Sequence, residues 1–147
     1  MSLRLLAPVE KRDLLNSLAE AYGFDGDALG DCEVLEGDEG YWAVSPEVIT
    51  LPLRKLVTDS IGILLARRRS DDLTPTIAAL QFFARPRPGS LRLSQTDATR
   101  FIDRKTVAVD ASDGRHVVFC GDHALDLGRV SDGWLVRVAS GKPVRRT

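Results

Sequence analysis

The chain has 147 residues, 44% of them hydrophobic and 28% charged, with a net charge of −1. That composition is that of an ordinary globular protein, large enough to bury a core without disulfides or metals. Its longest apolar run, Ile61 to Ala66, is far too short to cross a bilayer, and the opening MSLRLLAPVEKRD has no apolar signal core, so a cytoplasmic location without a membrane partner is expected. The charge is unevenly spread: residues 1–50 carry three basic and eleven acidic side chains, whereas residues 51–147 carry seventeen basic and ten acidic ones. Such asymmetry suggests one acidic and one basic face. Cys32 and Cys120 have no CxxC spacing and read as reduced, buried thiols in strands.

Residues 8–22 predict the clearest helix, with Pro8 in its first turn, Glu10 near its positive end, and Leu14, Leu15, Leu18 and Ala21 at helical spacing. Gly23 is its expected stop, and Asp25 to Asp31 reads as a polar link. Residues 32–36 and 41–44 predict a hairpin around Gly37-Asp38-Glu39-Gly40. Ser45-Pro46-Glu47 looks like a helix start, ended or distorted by Pro52. Ser60 to Arg67 reads as a buried strand, Arg67-Arg68-Arg69 as a basic loop, and Thr74-Pro75 as the opening of a second helix. Arg85-Pro86-Arg87-Pro88-Gly89 is the best boundary in the chain, dividing an N-terminal α/β subdomain, 1–88, from a C-terminal one, 89–147.

Beyond that boundary Ser94 caps a short helix to Phe101. Four strands are expected at Thr106–Val109, His116–Phe119, Ala124–Val130 and Trp134–Val138, separated by Asp113-Gly114, Gly121-Asp122 and Asp132-Gly133. These two-residue links carry hairpin-turn chemistry, and the whole predicts a small barrel or half-barrel. The fold class expected is α+β.

Nothing in the sequence points to catalysis. There is no GxGxxG, P-loop or HExxH, and His116 and His123 lack partners at metal-ligand spacing. The Asp71-Asp72 pair falls in a polar stretch. No catalytic residue, cofactor or metal is therefore expected.

Two stretches carry a resemblance. One is Gly62-Ile63-Leu64-Leu65-Ala66-Arg67, Leu73-Thr74-Pro75-Thr76 and Ala78-Ala79-Leu80; the other runs from Leu93-Ser94, Ala98 and Phe101-Ile102 through Val117-Val118-Phe119 and Gly121 to Leu125, Leu127-Gly128-Arg129-Val130 and Gly133-Trp134-Leu135. In that order they resemble the C-terminal region of Fmu/Sun-type RNA cytosine-5 methyltransferases, a pre-PUA segment plus a PUA-like domain, over about residues 60–147. The layout is also similar to that of small pre-PUA/PUA ribosome-biogenesis factors. The sequence departs from the methyltransferase pattern at Asp126, where glycine is usual, and at Val136-Arg137, where Lys-Asn is usual. It also lacks the cofactor-binding unit and the Pro-Cys nucleophile.

The resemblance implies a PUA-like β-barrel and a non-catalytic RNA-binding role on structured rRNA or tRNA, in ribosome biogenesis or RNA modification. RNA affinity comes largely from cations at phosphates and planar groups on unpaired bases. The candidate contacts are Arg67, Arg68 and Arg69 in the basic loop, Arg129 and Arg137 by the resemblance, and Lys142, Arg145 and Arg146 near the C-terminus. Trp134 is expected in the core. The alternatives are an adaptor that uses the acidic N-terminal face to hold a ribosomal or RNA-modifying protein, and a small-molecule-binding PUA/ASCH-like β-barrel, including one with hydrolase activity on a nucleotide, with a deep pocket of convergent polar groups.

Overall fold

The computed structural model describes residues 3–46, 62–69 and 72–138. Strand β1 (Arg4–Leu5) leads into helix α1 (Pro8–Tyr22). Glu10 accepts the Ala7 backbone N–H at 3.1 Å, and Gly23 ends the helix at φ 71°, a conformation glycine adopts without a Cβ penalty. The expected polar link contains a one-turn helix, α2 (Gly26–Gly30), because the Asp25 side chain accepts the Asp27 N–H and nucleates it. The hairpin β2 (Glu33–Glu36) and β3 (Gly40–Val44) follows as expected. The predicted Ser45-Pro46-Glu47 helix and Pro52 break fall largely outside the described residues.

Strand β4 (Ile63–Arg69) runs further than its apolar stretch, and β5 (Asp72–Pro75) pairs back along it. Two expectations are corrected here. Arg67, Arg68 and Arg69 lie in a strand rather than a loop, since their backbone is paired with Thr74, Leu73 and Asp72. Thr74-Pro75 ends a strand, and Thr76 caps helix α3 (Ile77–Phe83) by accepting the Ala79 N–H at 3.0 Å. Strands β1 to β5 make an antiparallel sheet in chain order.

After the Arg85–Gly89 link come β6 (Leu91–Leu93), α4 (Gln95–Ile102), β7 (Val107–Ala108), β8 (Gly114–Cys120), β9 (His123–Ser131) and β10 (Trp134–Arg137). Their sheet has the order β6-β8-β9-β10-β7, with β6 and β8 parallel. Asp113-Gly114 is therefore no hairpin turn, because β7 pairs with β10 across the sheet. Gly121-Asp122 and Asp132-Gly133 do turn two-residue hairpins, and both residues of the second have positive φ, the signature of a type I′ turn. The fold is α+β with a curled five-stranded half-barrel sheet.

One hydrophobic cluster takes Leu14 and Leu18 of α1, Leu65 of β4, Leu80 and Phe83 of α3, and Phe119 and Leu127 of β8 and β9, so it runs across the Arg85–Gly89 link. A second cluster packs Ala98 and Phe101 of α4 on Val118, Val130 and Leu135. Both cysteines are free and half-buried, Cys120 ending β8 and Cys32 just preceding β2. Among the described residues no helix is long and apolar enough to cross a membrane.

Candidate nucleic-acid interface

The period-2 alternation of a strand decides which side chains of β9 and β10 share a face. Leu127, Arg129 and Ser131 project to one side of β9; Leu125 and Val130 join the α4 cluster on the other. Arg129 pairs with Val136 on β10 and with Arg115 on β8, while Ser131 pairs with Trp134, which pairs in turn with Ala108 of β7. The first face is closed at the Leu127 end, where α3 packs, and open at the other. At that open end Trp134 is 53% and Val136 42% exposed, beside an exposed Arg129.

Trp134 was expected in the core, and the register explains the correction. The two-residue turn fixes Trp134 opposite Ser131, out of phase with the fully buried Leu135. An indole is thereby held on solvent next to a guanidinium that makes no ion pair among the described residues. The sheet is fixed from behind by Phe101. Gly128 lies inside β9, within the strand expected there, where a Cβ would collide with the Leu135 side chain and come within 3.1 Å of the Phe101 ring.

Arg137, one residue on from the exposed Val136, faces the opposite, buried side. Its Nε donates to Asp126 Oδ2 at 2.7 Å and its Nη1 to the Ile102 carbonyl at 3.1 Å. Asp126 is 1% exposed and accepts the Leu127 N–H with its other oxygen. A carboxylate taken out of water needs such a partner. The two departures from the methyltransferase pattern, Asp126 and Arg137, are thus the two halves of one ion pair.

The basic strand β4 is also engaged. Arg68 Nη2 donates to Glu36 Oε2 at 2.7 Å and to the Tyr41 hydroxyl at 3.0 Å, with its guanidinium 5.1 Å from the Tyr41 ring centroid. Arg67 lies 3.6 Å from Glu39. Arg4 joins the cluster, bonded to Glu10 and Glu36. Its guanidinium, with the Ala7 N–H, holds the Glu10 carboxyl down to about 2 and, with help from Tyr41 and Arg68, pulls Glu36 below the usual carboxylate range. Arg69 sits opposite Asp72 in the backbone ladder. Lys142, Arg145 and Arg146 lie outside the described residues.

Of the candidate contacts among the described residues, Arg129 alone stands on this open face. Trp134 and Val136 beside it were missed, although the phase of the Asp132-Gly133 hairpin against Leu135 carried the signal. No protein-family model matches the chain, and no curated protein matches it significantly.

Proposed function

We propose that the protein is a non-catalytic RNA-binding protein whose β9–β10 face, part of a PUA-like module, holds structured rRNA or tRNA. The observation that carries this reading is the half-exposed Trp134 on the same sheet face as Arg129, which has no ion-pair partner among the described residues. An aromatic ring offers a stacking platform to an unpaired base, worth about 1–3 kcal/mol, and a free guanidinium meets a phosphate or a second base plane. A strand pair braced from behind by α4 holds both without further ordering. The order of elements, a capped helix followed by a half-barrel, supports the PUA-like assignment. The adaptor reading draws less support, because Glu36 and Glu39 of the acidic hairpin are already committed to Arg4, Arg68 and Arg67.

The test is a salt titration of binding to separated tRNA and rRNA fractions, followed by tryptophan fluorescence. Affinity should fall steeply with salt and favour one fraction, and Arg129→Ala should lower the salt slope by about 1. Indole quenching should vanish in Trp134→Phe. Binding that is indifferent to both substitutions would remove the proposed face.

A further inference from the structure

A cleft of about 460 Å³ opens where the C-terminal end of α1, the Arg85–Gly89 link and β8 meet. Arg85, Arg87, Arg115 and His116 line it together with Tyr22, and no carboxylate is among the lining residues. Each arginine is tethered through one terminal nitrogen. Arg85 Nη1 donates to the Phe82 and Ala84 carbonyls at 3.0 and 3.1 Å. Arg87 Nη1 donates to the Ala19 and Glu20 carbonyls at 3.2 and 3.1 Å, closing the end of α1. Arg115 Nη1 meets Asp72 at 2.8 Å. Tethering of this kind orients a guanidinium while leaving its other nitrogen free to donate, and a planar fork matches a phosphate better than any other anion-binding side chain. The Nε of Arg115 is sealed from solvent and has no acceptor, the one such side-chain donor among the described residues.

The rest of the lining is mixed, with Ser90 and His116 beside Ala21, Tyr22 and Val117. Tyr22 is held by its hydroxyl, which donates to the Leu73 carbonyl at 3.0 Å, so its ring is a fixed surface. A cleft that brings three arginines and the half-buried Tyr22 ring together, in the size range of small-ligand sites, suits a phosphate joined to a flat heterocycle. We infer that this cleft binds one nucleoside 5′-monophosphate unit, with the phosphate on Arg85, Arg87 and Arg115 and the base against Tyr22. Arg115 is the cross-strand partner of Arg129, so the cleft adjoins the open sheet face. The unit is thus either a free mononucleotide or the phosphorylated 5′ end of a bound RNA strand. The second form rests on the function proposed above; the first does not.

Calorimetric titration of the full chain with adenosine, adenosine 5′-monophosphate and inorganic phosphate tests the site. The monophosphate should bind about tenfold or more tighter than adenosine, and Arg85→Gln should remove about tenfold of that affinity with the melting temperature unchanged. Arg115→Lys, which keeps the charge and loses the fork, should weaken binding in the same direction. Equal binding of adenosine and its monophosphate overturns the site without requiring any variant to fold. A short oligoribonucleotide with a 5′-phosphate, compared with its 5′-hydroxyl form, separates the sources. A preference of about tenfold assigns the site to an RNA end. Equal affinity of the two, with monophosphate binding intact, assigns it to a free mononucleotide. RNA binding that persists while the monophosphate fails to bind overturns the cleft and leaves the Trp134 face standing; the converse result removes the face and keeps the cleft.

Discussion

Arg68 in β4 is gripped by Glu36 and covers the Tyr41 ring, whereas Arg129 in β9 stands on an open sheet face beside Trp134. Both are strand arginines in the basic part of the chain. What separates them is the neighbouring strand. β4 lies beside β3, and through it the acidic hairpin supplies Glu36 and Glu39; β9 lies between β8 and β10, which place Arg115 and Val136 opposite Arg129. Exposed pairs such as these contribute at most about 1 kcal/mol each to stability, yet they occupy the donors that a phosphate would need. Much of the charge segregation along the chain is therefore spent internally, and the charge on offer to a partner is set by strand order rather than by local composition.

The sharpest way to break the comparison is at the third arginine, Arg137. Arg137→Ala leaves Asp126, 1% exposed, without its counter-ion and should cost about 3 kcal/mol in urea unfolding. A joint Asp126→Leu, Arg137→Met replacement should recover most of that. Next, Trp134→Ala combined with Arg129→Ala should weaken RNA binding by about 2–4 kcal/mol with stability preserved, while Arg67→Ala with Arg68→Ala should change affinity by less than about threefold in a filter-binding assay. Equal losses from the two pairs would erase the distinction. Gly128→Ala should cost about 2 kcal/mol of stability by overpacking against Leu135 and Phe101, and should disturb the face indirectly.

The smallest effects belong to the acidic hairpin. Glu36→Gln should cost less than about 1 kcal/mol and, by releasing Arg4 and Arg68, should raise RNA affinity slightly. Since the Arg4 guanidinium holds Glu10 and Glu36 below the usual carboxylate range, their stabilising contribution is complete above that range. It should be lost as pH falls toward about 2, read as a declining melting temperature that high salt flattens.

Helix α1, the β2–β3 hairpin, the Ser94 cap and the β8–β9–β10 hairpins were legible because each is coded locally, by apolar spacing, a capping hydroxyl or a two-residue turn. What escaped was coded elsewhere in the chain. Strand β6 is three residues long and exists because β8, far along the sequence, pairs with it in parallel. The extension of β4 through three arginines depends on β5 and on the carboxylates facing it. Arg129 was legible as a candidate through a family resemblance, whereas the exposed position of Trp134 required the register, and the cleft arginines Arg85 and Arg87 read only as a boundary.

Strand length across the two sheets has a further consequence. In both, the longest strands lie inside and the edges are short: β1 and β7 have two residues, β6 three and β5 four, ending at Pro75. Among the described residues an incoming chain would find only a few unpaired edge amides to template on, and a proline stops the longest of these edges. Short edges of this kind disfavour growth of these two sheets by addition of further copies, even where crowding brings many copies together.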